Sequence, residues 1–167
     1  TSLFDQQVRA GSWADAAATL KRALKKKVVP PARGRRQHAV LAHQQSLEAE
    51  GRGDADASLK LARAAHDLDP AFVPGAARLG MLLATAGKYR KAASVIEKAW
   101  RLRPHPDLLA AYRAAHPNDN ALGAVRTVQR LAALYPADLE SRVAVAITAL
   151  DARLWGEARK HLMAISG

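Results

Sequence analysis

The sequence contains no cysteine. Disulfides, thiolate metal sites and a cysteine nucleophile are therefore excluded. Aromatic residues make up only 5%. With Ala, Leu, Arg and Lys dominant, that balance favours helices over sheet. No apolar run approaches the roughly 20 residues needed to span a bilayer, and there is no signal peptide. Acids are scarce too: 15 Asp and Glu stand against 26 Lys and Arg, leaving a net charge of +11. Such an excess points to an acidic partner, whether nucleic acid, an anionic membrane surface or an acidic protein. An Arg-rich genome would give the same excess with no partner at all.

Catalytic signatures are also missing. There is no Gly-rich phosphate loop, GxSxG or GxGxxG. Gly51-x-Gly53 continues as Asp54-Ala55-Asp56 and lies between two helices, so flavin or nicotinamide binding by that route is excluded. His38, His43, His66, His105, His116 and His161 form neither HExxH nor a pair at four-residue helical spacing. His105 and His116 flank prolines at helix ends, where histidine commonly caps carbonyls. Glu97, Asp107 and Glu140 are scattered, with no evident catalytic pair. No catalytic residue and no metal ligand is assigned, and the chain reads as non-enzymatic.

What is present is a 167-residue chain with 49% apolar residues, enough for one domain with a sizeable core. It begins Thr1-Ser2-Leu3 without Met and reads as an excised piece, so that any anchor or targeting segment would lie outside it. Its best-formed stretch is Val73 to Pro104. Leu79-Gly80 is followed by Leu83, then Gly87, Tyr89, Ala92, Ile96, Ala99 and Pro104. This layout resembles the tetratricopeptide repeat: two amphipathic helices, a tight turn and a closing proline. The period supports it. Gly53 to Gly87, Ala65 to Ala99 and Pro70 to Pro104 are each 34 residues apart.

The remaining chain reads as variants of that unit. A short helix from Leu3 to Ala10 ends at Gly11, and Ser12 N-caps a helix to about Lys26. Pro30-Pro31 breaks the chain. A long helix from Ala32 to Glu50 follows, then a partner from Asp54 to Leu68. A short helix from Pro106 to about Ala115 precedes one capped within Asn118-Asp119-Asn120 that runs to Tyr135. The last pair is Asp138 to Arg153 and Trp155 to Ile165. Arg153 stands where the turn glycine should be, which predicts a different turn geometry there. The expected fold is all-α, a single domain over residues 1–167: a right-handed α-α superhelix of hairpins at about 1–27, 31–70, 71–104, 105–136 and 137–167. Trp13, Trp100 and Trp155 are expected in the core or between repeats.

Two surfaces follow. The first helices of the hairpins should line an inner wall of Val40, His43, Leu47 and Glu50, then Ala77, Met81 and Ala84, then Glu140, Val143 and Ile147. It is mostly apolar and suits a helix or extended peptide. The second surface is basic: Lys21, Arg22, Lys25, Lys26, Lys27, Arg33, Arg35 and Arg36 meet at the Pro30-Pro31 turn with no acid between them. Anionic lipid or phosphate backbones would attract it, although no aromatics interleave with the cations as in nucleic-acid binders.

Several longer stretches carry a second resemblance. They are Pro31 to Leu41, Ala65 to Pro74, Glu97 to Leu108 with its Trp100-x3-Pro104-His105-Pro106-Asp107-Leu108, and Glu140-Ser141-Arg142 with Ala152 to Trp155 and Ala158-Arg159. From Trp13 to Leu162 the chain resembles the C-terminal repeat region of HemY-type proteins of proteobacteria. The resemblance implies a scaffold domain on the cytoplasmic side of the bacterial inner membrane, behind two anchor helices. It also implies a link to a late step of haem synthesis, with partners among haem-pathway enzymes and no catalytic residues to transfer. A haem- or porphyrin-binding carrier with His43 or His105 as ligand is the alternative, and a basic nucleic-acid binder a further one.

Overall fold

The computed structural model describes residues 2–166; Thr1 and Gly167, the outer ends of the first and last expected hairpins, lie outside the described residues. Among the described residues there are ten α-helices and no strand. They are α1 (Leu3–Arg9), α2 (Trp13–Lys25), α3 (Pro31–Gly51), α4 (Ala55–Leu68), α5 (Val73–Thr85), α6 (Tyr89–Leu102), α7 (Pro106–Ala114), α8 (Ala121–Ala132), α9 (Leu139–Asp151) and α10 (Trp155–Ser166). Consecutive helices pair as hairpins of the tetratricopeptide type. The chain divides into two compact units, one up to Gly75 and one from Ala76.

In the first unit, α1 opens on a capping box. Ser2 Oγ accepts from Asp5 N at 3.2 Å, and Asp5 Oδ2 accepts from Ser2 N at 3.1 Å. Ser12 stands at the N-cap of α2 but makes no side-chain cap bond. Instead its N–H closes the preceding turn on Gln7 O at 2.9 Å. Ala16 and Leu20 of α2 bury against Leu41 of α3, with Phe4, Val8 and Trp13 packed around them. Pro31 takes the first position of α3, where its missing N–H costs nothing. Asp54 caps α4 by accepting from Ala57 N at 2.9 Å. Between α3 and α4 the buried side chains are small, Ala39, Ala49, Ala62 and Ala65 among them. Ser46 Oγ donates to Ser58 O at 2.8 Å, which satisfies a hydroxyl with no access to water.

In the second unit, Gly80 of α5 lies against Ile96 of α6. A Cβ added there would stand 2.6 Å from Ile96 Cδ1. Repeat register makes Ser46, Gly80 and Ala146 equivalent, and likewise Ser58, Ala92 and Ala158. All six are buried, so the same small pair recurs where the two helices of a hairpin approach. Trp100 is fully buried, and its Nε1 donates to Ser141 Oγ at 3.1 Å. That hydroxyl donates in turn to Tyr135 O at 2.7 Å. A second buried group joins Val125, Ala149 and Ala158.

The structure departs from the sequence reading at several points. Helix α8 ends at Ala132, short of Tyr135, because the N–H groups of Leu134 and Tyr135 turn back to Leu131 O and Ala132 O in a tighter closing turn. Trp155 is 63% exposed. It occupies the slot of Tyr89, which is 42% exposed. In both hairpins this first position of the second helix faces outward, so Trp155 is no core wedge. His116 Nδ1 does lie 2.9 Å from Tyr112 O at the end of α7. His105 works at the other pole: its Nδ1 accepts from Asp107 N at 3.2 Å and caps the start of α7.

Arg153 is the most informative departure. After α5, Gly87 N donates to Ala84 O at 2.9 Å and Lys88 N to Leu83 O at 2.8 Å, with Gly87 at φ 69°. After α9, Arg153 N donates to Leu150 O at 2.9 Å and Leu154 N to Ala149 O at 2.8 Å, with Arg153 at φ 57°. The turn keeps the glycine geometry and forces an arginine into the left-handed region, at about 1–2 kcal/mol. The two bonds satisfy the last carbonyls of the helix and fix the return of the chain, so the position, not the residue, sets the turn.

Candidate interaction surfaces

The residues expected on the inner wall divide by exposure. Leu47, Met81 and Ile147 share one register position and are 40%, 40% and 44% exposed. A core position would not leave a large apolar side chain so open in three hairpins. His43, Ala77 and Val143 share the neighbouring position and are half-buried, as are Val40 and Glu140, while Glu50 is exposed. Ala84 is the exception. It is 5% exposed and belongs to the packing between helices. Leu47 lies in the first unit; Met81 and Ile147 lie in the second.

His43, one of the two candidate haem ligands, packs edge-on against the Phe72 ring, with centroids 5.4 Å apart. His105, the other, already spends Nδ1 on its capping bond. No group of three metal-ligating side chains occurs among the described residues. Glu97 accepts a hydrogen bond from Tyr112 Oη at 2.9 Å. Burial first, and that bond second, push the Tyr112 phenol well above its ordinary value. Burial likewise raises the Glu140 carboxyl, an effect that His105 opposes. No helix among the described residues is long and apolar enough to cross a membrane.

The basic residues are all exposed and gather at the end of the first unit where α2 stops and α3 starts. Arg36 is the one that turns aside. It pairs with Asp69 beyond α4 and lies 4.8 Å from the centre of the Phe72 ring. The run from Lys21 to Arg36 holds no acid, and the carboxylate that Arg36 meets comes from 33 positions along the chain. Arg22 donates to Thr19 Oγ1 at 3.3 Å. A cleft of about 430 Å³ opens beside the turn and is lined by Leu3, Phe4, Leu20, Val28, Val29 and Arg33, among others. In the second unit a cleft of about 410 Å³ is lined by Ala132, Ser141, Arg142, Val145, Lys160 and His161, among others. Sequence reasoning names neither cleft. Each forms where three helices meet, which local periodicity does not reveal.

No family model matches the chain. A probable magnetosome protein, Mms48 of Magnetospirillum gryphiswaldense, is 29% identical over 161 residues, covering 96% of this chain. The chain spans 36% of that relative's length. Among solved structures, MamA from Desulfovibrio magneticus RS-1 aligns over 98% of this chain and 89% of its own, at 16% identity and a TM-score of 0.48. A thermophilic TPR protein of Thermus thermophilus aligns over 89% of this chain and 78% of its own, at 20% identity and a TM-score of 0.44. The description of the magnetosome relative names neither a HemY-type origin nor haem synthesis.

Proposed function

We propose that this chain is a non-catalytic protein-binding scaffold module that serves an assembly of the magnetosome kind. The observation that carries the binding role is the repeated exposure of Leu47, Met81 and Ile147 at one register position. Fully burying a side chain of this class is worth about 1.5–3 kcal/mol, so covering even the open part of each would favour an apolar partner segment. The match to the magnetosome protein along 96% of the chain supports the setting. The HemY resemblance would instead place the module at the cytoplasmic face of an inner membrane, beside enzymes of late haem synthesis. The comparisons lend that setting no support, and it ranks second.

The test is recovery of partners from a magnetosome-forming cell by this chain and by Leu47→Glu and Met81→Glu variants whose helicity matches the parent. Each substitution should weaken a specific partner at least about tenfold. Equal recovery by parent and variants rejects these exposed apolar positions, each in its own unit, as binding residues. We propose in addition that the basic end of the first unit faces an anionic partner. Its seven exposed cations other than Arg36 form no ion pair among the described residues.

A further inference from the structure

We propose that the turn between α2 and α3 is a membrane-contact element, in which Val28 enters the headgroup region of an anionic phospholipid bilayer and Lys25, Lys26, Lys27, Arg33 and Arg35 hold its phosphates. The inference rests on the reading of this end as anion-facing and names the partner.

The chemistry of the stretch is narrow. From Lys25 to Arg36 every uncharged residue is Val, Pro, Ala or Gly, with no acid and no neutral hydrogen-bonding side chain. Readout of bases other than guanine draws on Asn, Gln, Ser or Thr beside the cations, and a surface that grips single strands uses aromatics. Neither is here. Cations mixed with aliphatics match the bilayer interface, where charge meets phosphate and apolar groups sink below it.

The geometry presents that chemistry outward. Val28 is 73% exposed, the highest value for any large apolar side chain among the described residues. It is held there. Lys27 takes φ 55°, and the bonds from Lys27 N to Leu24 O and from Val28 N to Ala23 O, each 3.0 Å, lock the end of α2. Pro30 and Pro31 then fix the entry into α3. Both Val28 and Val29 border the cleft behind the turn, but Val29 is half-buried and anchors the loop while Val28 stays open to solvent. Leu3, 57% exposed, lines the same cleft and adds a second apolar point. The first turn of α3 contains no acid and no side-chain cap, so the positive end of its dipole adds to the charge of Arg33 and Arg35. Of the acids at this end, Asp69 is paired with Arg36, and Asp5, hydrogen-bonded to Ser2, keeps its charge but is outnumbered by the cations.

The experiment is co-sedimentation of the whole chain with vesicles of phosphatidylcholine alone and of phosphatidylcholine mixed with phosphatidylglycerol. Heparin and duplex DNA serve as soluble polyanions. The parent should bind only the anionic vesicles. Lys25→Glu with Lys26→Glu should lower that binding at least roughly twentyfold. Val28→Ser changes no charge and should lower it roughly fivefold, leaving heparin binding unchanged. Vesicle binding that is indifferent to Val28→Ser overturns the insertion. Tighter binding to DNA than to anionic vesicles assigns the surface to nucleic acid and overturns the lipid partner. If the parent binds no polyanion of any kind, the anion-facing reading falls with it.

Discussion

Gly80 and Gly34 pose the same local question and should answer it differently. A Cβ on Gly80 would meet Ile96 Cδ1 at 2.6 Å and Cγ1 at 2.9 Å, and Ile96 is wholly buried. A Cβ on Gly34 would collide with the end of Leu24, which is only half-buried and has room to swing away. Replacing a helical glycine by alanine gains up to about 1 kcal/mol of propensity, while overpacking a closed core costs about 1–3 kcal/mol. Gly80→Ala should therefore destabilise by about 1 kcal/mol and Gly34→Ala should be neutral or stabilising, as read by urea unfolding. The Leu79-Gly80 pair was legible in the sequence as a packing feature. The difference between the two glycines was not, because it depends on how freely a side chain ten positions or more away can move. Glu140 titrates by the same kind of environment. Burial raises its pKa, so its contribution to stability is full below the ordinary carboxylate value of 4.5 and is lost as pH rises through the raised one.

At the scale of the element, helix starts and stops followed the local chemistry well. Asp54, Asn120 and Asp138 cap where the pattern of polar residue and apolar run expects. The 34-residue spacing located the turns for the same reason: it repeats a geometry whose cues are all nearby in sequence. Arg153 shows the boundary of that method. The residue argued for a new turn, while the hairpin around it kept the old one. Arg153→Gly should remove the left-handed penalty and stabilise the chain by about 0.5–1 kcal/mol after the greater freedom of an unfolded glycine is subtracted. A thermal midpoint unchanged or lowered by this substitution would mean that the turn carries no strain.

For the whole molecule, the dominant quantity is charge. The ion pair Arg113–Asp151 is exposed and Arg36–Asp69 is open on its arginine side, so both contribute little. Repulsion within a chain of net charge +11 should outweigh them. Raising ionic strength from about 0.01 M to about 0.15 M shortens the screening length from about 30 Å to about 8 Å and should raise the thermal midpoint. A falling midpoint would show that ion pairs outweigh repulsion. The sequence made the helical class and the excess charge legible because both are sums over residues. It did not reveal that Arg36 is claimed by Asp69, or that the residues bordering Gly75 divide the chain into two compact units. Those facts are set by contacts between distant positions.

The three tryptophans make the molecule its own optical instrument. Trp100 is sealed from water, Trp13 is half-buried and Trp155 stands 63% exposed. In emission, Trp100 should be blue-shifted and inaccessible to iodide, and Trp155 red-shifted and readily quenched. Trp13 reports on the first unit and the other two on the second. With Trp155 replaced by phenylalanine, the quencher-resistant light would follow the interior of the second unit. With Trp100 and Trp155 both replaced, what remains would come from the helix that leads into the basic turn.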